Sequence, residues 1–350
     1  MPSSNPSAAR TLKNYLYVLV SLIILSWVII PKYYGLPYIK NAGPILTDEI
    51  IMDYQEHINE TNPHIVLLGD STLEDSISEA PLTEGLGYQT YRIGKPGSAS
   101  AVWYLILKNQ IITSDVKPKQ LVIFSRASML TTPDYRTTGK YEESIVELAL
   151  PADSLITERA YQSQMNPLEQ NLDRYFPLFG YRAYLRKSIE NLVKYHAPNQ
   201  ILDVRPKDVE NALGNVFDDQ FGSRELVELN SMITMVETYL HEEERLDFYA
   251  QLPNSFLPEI VRLCEENEIQ LTFVYTQTIY EDQDPKTTRL LNAYRSDLFQ
   301  YAAENNIQIL DYLNDERLTP DFFNDPVHMN ASGKAAFTEI FAADFAKFLP

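Results

Sequence analysis

Cysteine and positive charge are both scarce in this sequence of 350 residues. The single cysteine, Cys264, excludes an intramolecular disulfide and leaves the redox compartment unassigned. Lysine and arginine together number 29 against 48 aspartates and glutamates, which gives a formal net charge of −19. With no basic cluster to oppose that charge, nucleic acid is not an expected partner. The five histidines show no Cys/His spacing pattern, so the sequence predicts no metal site.

Apolar residues are plentiful, and one uncharged run, 15–31, is long enough to cross a membrane at about 1.5 Å per residue. Arg10 and Lys13 precede it without any acidic residue, which favours a cytoplasmic N-terminus. No small-residue cleavage site follows promptly, so an uncleaved anchor is favoured over a signal peptide. A buried core helix fits less well because the run is apolar on all faces. We predict a cytoplasmic leader over 1–14, a transmembrane signal anchor over 15–31 and an extracytoplasmic domain over 47–350.

Short apolar runs alternate with helical patterns along this domain. The predicted strands are 64–68, 88–93, 120–124, 269–275 and 308–312, and the predicted helices include 98–112, 257–268, 286–305 and 332–348. Such alternation predicts an α/β fold with a parallel sheet covered on both faces. Between the third and fourth strands, at about 131–250, the pattern is helical without a clear strand. We predict a helical insertion there, which would serve as a lid or as a docking surface.

Two short motifs carry the chemistry of the sequence. Gly-Asp-Ser at 69–71 follows the first predicted strand, and Asp-x-x-His at 325–328 lies beyond the fifth. A serine hydroxyl is a weak nucleophile that needs a base, and His328 can accept its proton while Asp325 orients the imidazole ring. Both motifs fall at the carboxyl ends of strands, where the functional loops of parallel sheets gather. The pattern therefore predicts a Ser71–His328–Asp325 triad for acyl transfer.

Acyl transfer also needs hydrogen-bond donors for the developing oxyanion. The backbone N–H of Ser71 is one predicted donor. The second is Gly97, in a glycine-bearing loop directly after the second predicted strand, where the missing side chain permits close backbone approach. We assign the neighbouring Asp70 a structural role in the loop that carries the serine.

These motifs resemble the conserved blocks of the SGNH (GDSL-type) hydrolase superfamily over about 62–131 and 259–348. Gly-Asp-Ser at 69–71 matches the first block, Gly97 matches the second-block glycine, and Asp-x-x-His at 325–328 matches the last. The resemblance implies a three-layer α/β/α, flavodoxin-like fold. It also implies a serine mechanism that uses neither metal nor cofactor.

The third block departs from the family pattern, which usually carries Gly-x-Asn-Asp with the asparagine as a third oxyanion donor. Here the stretch 124–128 reads Phe-Ser-Arg-Ala-Ser and contains no asparagine. Arg126 and Ser128 are the candidates to replace the amide. Loss of one oxyanion donor typically costs roughly 10²–10³ in rate, so hydrolysis is expected to be weakened unless a substitute donor is present.

One N-terminal anchor joined to such a domain is similar to accessory proteins of membrane-bound O-acyltransferase systems. The resemblance implies a membrane-anchored serine esterase or O-acyltransferase acting on acyl, by expectation acetyl, esters of cell-envelope polysaccharide, with a membrane-bound O-acyltransferase as partner. Two alternatives stay open. The chain would be a lipid or small-ester hydrolase, or a catalytically weak or inactive module that binds a glycan or a partner, as the missing asparagine favours.

Overall fold

The computed structural model describes residues 6–191, 237–279 and 284–349. Much of the predicted insertion, residues 192–236, lies outside the described residues. Contacts within the chain divide it into two compact units. The larger comprises residues 46–160 and 225–350, and the smaller comprises residues 1–45 and 161–224.

The larger unit is built on five strands, β1 (Ile65–Gly69), β2 (Thr90–Gly94), β3 (Gln120–Ser125), β4 (Gln270–Tyr275) and β5 (Gln308–Asp311). All neighbouring strands pair in parallel, in the order β2-β1-β3-β4-β5. This flavodoxin-like order confirms the predicted α/β fold, and the predicted strand ends differ from the observed ones by one or two residues.

Helices occupy most of the remaining described chain. The α-helices are α1 (Pro6–Tyr34), α2 (Gln55–Thr61), α3 (Ser71–Ser76), α4 (Glu79–Leu86), α5 (Ser100–Ile106), α6 (Glu142–Leu148), α7 (Ser154–Ala160), α8 (Pro167–Tyr175), α9 (Pro177–Gly180), α10 (Arg182–Asn191), α11 (Phe248–Gln251), α12 (Leu257–Glu266), α13 (Pro285–Glu304) and α14 (Ala331–Phe345). Residues 237–240 are also helical. The helix predicted over 98–112 begins later and changes to π-helical geometry at Leu107–Ile111.

Both faces of the sheet are covered because β1 and β3 are buried along their whole length. Ile65 and Leu67 of β1 point to the face that packs on α3, α4 and α14, whose contributions include Phe337 and Phe341. Successive strand residues point to opposite faces, so Val66 and Leu68 are buried on the other face. Helix α5 also belongs to the core, since all seven of its residues are buried.

The carboxyl edge of the sheet is where the predicted motifs meet. Strand β1 ends at Gly69, and Ser71 begins α3 directly afterwards. A Cβ atom at Gly69 would lie 2.8 Å from Cβ of Leu73, so the tight strand-to-helix turn requires glycine. Strand β2 leads into the loop with Gly97, and β3 leads into Arg126.

The smaller unit contains the apolar helix and part of the predicted insertion. Its segment Lys13–Tyr34 has 22 residues and a mean hydropathy of 2.0, enough by length and composition to cross a membrane. A signal sequence would meet the same criteria. Beyond the helix, the ammonium group of Lys40 forms a buried ion pair with Asp173 in α8. The N–H of Gly43 donates to the same carboxylate at 2.9 Å, so α8 packs against the chain that leaves the apolar helix.

Candidate active site

Ser71, His328 and Asp325 form one hydrogen-bonded row. The Oγ atom of Ser71 lies 2.8 Å from Nε2 of His328. On the other side of the ring, Nδ1 lies 2.8 Å from Oδ2 of Asp325 and 3.1 Å from Oδ1. An ionised carboxylate can only accept, so Nδ1 carries the proton and Nε2 is left free to accept the serine proton. The structure thus brings together three residues from the two ends of the larger unit.

Asp325 is fixed by backbone groups as well as by the imidazole ring. Its Oδ1 accepts hydrogen bonds from the N–H groups of Val327 and His328, each at 2.9 Å. Burial acts to raise the pKa of Asp325, but hydrogen bonds from His328 and from the Val327 N–H outweigh it and lower the pKa below its ordinary value. The carboxylate therefore stays ionised while it orients the ring.

The loop that carries His328 is closed by short backbone contacts. The N–H of Asn324 donates to the carbonyl of His328 at 2.8 Å, beside an antiparallel bridge between Phe323 and Met329. Asn330 then caps α14, its Oδ1 accepting from the N–H groups of residues 332 and 333 at 3.0 and 2.9 Å. These contacts fix the backbone on both sides of the histidine.

The environment of His328 favours its protonated form. Burial acts to lower the pKa of His328, but the hydrogen bond and charge of Asp325 raise it, and the charge of Asp70 adds to this. Arg126 opposes the shift, and the net pKa lies above the ordinary value of 6.5. A raised pKa makes the neutral imidazole a stronger base and moves its working range to higher pH.

Asp70 holds the turn that presents the nucleophile. Its side chain caps α3, with Oδ1 accepting from the N–H of Thr72 at 2.9 Å and from Thr72 Oγ1 at 2.6 Å. The Asp70 side chain is buried, with 1% of its surface exposed. Burial acts to raise the pKa of Asp70, but the charge of Arg126 and hydrogen bonds from Thr72 outweigh it and lower the pKa. The structural role expected for Asp70 agrees with these contacts.

The two candidate substitutes for the missing asparagine are both engaged elsewhere. Nη1 of Arg126 donates to Oδ2 of Asp70 at 2.5 Å, while Nε and Nη2 donate to Glu237 at 2.8–3.2 Å. The hydroxyl of Ser128 donates to the carbonyl of Leu240 at 2.7 Å. The described hydrogen bonds of both side chains go to Asp70, Glu237 and Leu240, so a third oxyanion donor from either residue stays a prediction.

The backbone N–H groups of Ser71 and Gly97 are the predicted oxyanion donors. Neither has an acceptor within the part of the chain that the structure describes. The loop with Gly97 is tied to the end of β1, since the N–H of Lys95 and the hydroxyl of Ser98 both donate to the carbonyl of Gly69, at 3.0 and 3.2 Å. Gly97 thus lies at the strand end that also delivers Ser71.

Gly97 is covered by two side chains that the sequence did not point to. Its φ of +74° is a left-handed conformation that favours glycine. A Cβ atom there would lie 2.6 Å from Cε1 of Tyr141 and 2.9 Å from Nη1 of Arg136. The Arg136 guanidinium also lies 5.0 Å from the centre of the Tyr141 ring. No sequence motif marks either residue, because both belong to the irregular start of the predicted insertion.

The described residues contain no candidate metal site. Within residues 6–191, 237–279 and 284–349, no group of three or more His, Cys, Asp or Glu side chains is arranged to hold a metal ion. The arrangement instead offers a nucleophile, a base, an orienting carboxylate and two backbone donors, which are the parts of a serine acyl-transfer site.

The chain is similar in structure to a GDSL-like lipase from Bacteroides thetaiotaomicron, with a TM-score of 0.39 and 12% identity over 83% of this chain and 91% of that chain. A proposed acylhydrolase from Bacteroides fragilis also gives a TM-score of 0.39 and 12% identity, covering 85% and 100%. An SGNH-hydrolase family esterase gives 0.30 and 13%, covering 82% and 96%. No protein-family model and no curated protein matches the sequence. Because each TM-score is below 0.5, these likenesses assign no activity.

Proposed function

We propose that this chain is an SGNH-type, membrane-anchored serine esterase or O-acyltransferase that acts on acyl esters of cell-envelope polysaccharide. The observation that carries the proposal is the continuous row from Ser71 Oγ through His328 to Asp325, with both hydrogen bonds at 2.8 Å. A serine, a histidine and an aspartate in this order and geometry are the working parts of acyl transfer on many unrelated folds.

In the proposed reaction, His328 Nε2 accepts the proton of Ser71 as Oγ attacks the carbonyl carbon of the ester. The imidazolium that forms is stabilised by Asp325 and returns the proton to the departing alcohol, which leaves an acyl-serine. The N–H groups of Ser71 and Gly97 face the negative oxygen of each tetrahedral intermediate. Water or a sugar hydroxyl then attacks the acyl-serine, with His328 as its base, and frees the enzyme.

The proposed site has two oxyanion donors, whereas the family pattern has three, and this difference predicts a slower reaction. Removal of one such donor typically costs about 10²–10³ in kcat, equal to about 3–4 kcal/mol of transition-state stabilisation. The described contacts of Arg126 and Ser128 do not offset this loss. We therefore expect slow turnover of simple esters compared with esterases that have the complete set.

The membrane and glycan parts of the proposal rest on the organisation of the chain. The apolar helix at the N-terminus, with Arg10 and Lys13 at its start, supports an anchor whose following domain lies outside the cytoplasm. An anchored acyl-transfer domain in that location meets acyl esters of envelope polysaccharides, with acetyl as the expected group. A membrane-bound O-acyltransferase is the proposed partner, as a source of acyl groups on the other side of the membrane.

A second candidate function is a catalytically weak or inactive module that binds a glycan or a partner protein. The engagement of Arg126 and Ser128 favours it, since the third donor of the family is not replaced. A lipid or small-ester hydrolase is the third candidate, and it differs from the proposal only in the preferred ester.

The test uses the full chain in detergent micelles. We expect acetate release from p-nitrophenyl acetate and from an acetylated oligosaccharide, and covalent labelling of Ser71 by a fluorophosphonate. Ser71→Ala should abolish both, whereas Ser78→Ala, a matched change at a serine outside the row, should leave both unchanged. Absence of labelling and turnover in the folded wild-type protein would favour the binding module. Preference for long-chain over acetyl esters would favour the lipid hydrolase.

A further inference from the structure

A buried cluster of three charged side chains lies next to the nucleophile, since one of its members, Asp70, directly precedes Ser71. Arg126 is placed between Asp70, next to the serine, and Glu237, in the segment predicted as an insertion. Their side chains are 4%, 1% and 3% exposed, so all three charges are withdrawn from water. Buried charges are costly unless they are paired, so each of these three side chains needs its partner. The pairing therefore holds together three segments that lie far apart in the sequence.

We propose that Arg126 and Glu237 are positioning residues for the acyl-transfer reaction, so that the insertion takes part in setting the geometry of Ser71. This inference rests on the function proposed above. It gives the insertion a role that is neither a lid nor a docking surface, because the Glu237 side chain is buried and pairs with Arg126 inside the protein.

The first step of the argument is the division of labour on Asp70. One oxygen, Oδ1, accepts both hydrogen bonds from Thr72 and thereby fixes the first turn of α3, which begins at Ser71. The other oxygen, Oδ2, accepts only from Arg126 among the described residues, at 2.5 Å. The rotation of the Asp70 carboxylate, and with it the start of α3, is therefore set from both sides.

The second step is the orientation of Arg126 itself. The Nε and Nη2 edge of its guanidinium faces the Glu237 carboxylate in a fork-to-fork pair, with contacts of 3.1, 3.2 and 2.8 Å. Such a bidentate pair fixes the plane of the guanidinium as well as its position. Because Nη1 belongs to the same rigid plane, Glu237 also fixes the direction from which Arg126 meets Asp70.

The third step is electrostatic. The charges that act on His328 are those of Asp325 on its own loop, Asp70 after β1 and Arg126 after β3, and the ring is hydrogen-bonded to the Ser71 hydroxyl. Asp70 favours the imidazolium and Arg126 disfavours it. Glu237 offsets part of the arginine charge, so the cluster sets the basicity of His328 as well as the position of the serine.

The experiment measures kcat and KM against pH, together with the NMR titration of the His328 ring, for full-length Glu237→Gln and Arg126→Gln. Each variant removes one charge of opposite sign. Glu237→Gln should shift the acid limb and the His328 titration to lower pH, and Arg126→Gln should shift both to higher pH. In both, kcat should fall by about 10- to 100-fold with little change in KM, since a misplaced nucleophile slows the chemical step. Glu244→Gln, an exposed carboxylate seven positions beyond Glu237, is the matched control and should shift neither.

A variant that loses one buried partner is at risk of unfolding, so a second variant removes all three charges together. Asp70→Asn/Arg126→Met/Glu237→Met leaves no unpaired buried charge and is expected to fold. If it folds and keeps the wild-type kcat and acid limb, the cluster is only structural and the inference is overturned. Shifts of the same sign in the two single variants also overturn it.

Failure of the proposed function is a separate observation. If the wild-type protein neither turns over esters nor reacts with a fluorophosphonate at Ser71, the enzymatic proposal fails, and a role in positioning for catalysis fails with it. If the wild-type protein is active but the His328 titration moves in neither single variant, the enzymatic proposal stands and only the inference about Arg126 and Glu237 is lost.

Discussion

Replacing Asp325 by asparagine tests the candidate triad with little change in shape. In the wild-type protein, Oδ1 accepts from two backbone N–H groups at 2.9 Å and Oδ2 accepts from Nδ1 of His328 at 2.8 Å. An asparagine keeps the backbone contacts only if its oxygen occupies the Oδ1 position. Its amide nitrogen then faces Nδ1, which must become an acceptor because the amide can only donate.

The consequence is a change of tautomer at His328. With Nδ1 accepting, the ring proton moves to Nε2 and faces the Ser71 hydroxyl at 2.8 Å as a donor. No lone pair is then available for the serine proton. The same change in a serine protease lowers kcat by about 10⁴, and at 1.36 kcal/mol per factor of ten this equals about 5.5 kcal/mol of transition-state stabilisation. We expect a loss of that order for Asp325→Asn.

The assay is acetate release and the second-order rate of fluorophosphonate labelling, measured at the pH optimum of the wild-type protein. Asp321→Asn is the matched control, since it makes the same chemical change at an exposed position in the same loop. It should leave both rates unchanged. An Asp325→Asn variant that is folded and within tenfold of the wild-type rate, while Ser71→Ala is inactive, would refute the role of Asp325 as the orienting carboxylate.

Three further predictions concern the same unit. Gly97→Ala should lower kcat about 10²-fold, as measured by ester turnover. The residue has a φ of +74°, and an added Cβ would lie 2.6 Å from the Tyr141 ring, so the proposed oxyanion loop would have to move. The acid limb of kcat/KM should lie above pH 6.5, since the pKa of His328 is raised and only the neutral ring is a base; an acid limb below that value would contradict it. In thermal unfolding, Gly333→Ala should destabilise the protein, because its Cβ would lie 2.2 Å from the Phe322 carbonyl oxygen. By contrast, Gly85→Ala should stabilise it by about 0.5–1 kcal/mol, because Gly85 is an exposed position of α4 and a Cβ there would lie 3.5 Å from the nearest atom.

The fold was predictable because its signals are local. A strand buried on both faces is a continuous apolar run, and the sequence around Ile65 and Val122 has that form. The helix that packs on the sheet near the C-terminus repeats aromatic residues at helical spacing, and Phe337 and Phe341 indeed lie in the core. The change to π-helical geometry at Leu107–Ile111 has no such signal, because apolar residues bury equally well in either helix type.

The candidate site was only partly predictable. Ser71, His328 and Asp325 belong to compact motifs at strand ends, where chain direction and sheet topology determine which loops meet. Arg126 was noticed, but the direction of its side chain depends on Glu237, which is far away in a stretch without periodicity. An ion pair between distant residues leaves no local pattern, so the sequence indicated Arg126 as a candidate oxyanion donor and gave no sign of its buried pair with Glu237.

If the site works with only the two proposed backbone donors, the consequence is the same for hydrolysis and for transfer. In the proposed reaction, acylation of Ser71 and removal of the acyl group both pass through a tetrahedral intermediate whose oxygen would meet the same two N–H groups. Loss of one donor therefore slows both half-reactions, and it cannot by itself favour a sugar hydroxyl over water. That preference has to come from groups that hold the acceptor, and we propose Tyr141 and Arg136 for this role, since both side chains lie next to Gly97. An aromatic ring beside a guanidinium offers stacking and hydrogen bonds to a sugar, so we expect the proposed sugar acceptor to be selected by these two side chains and not by the triad.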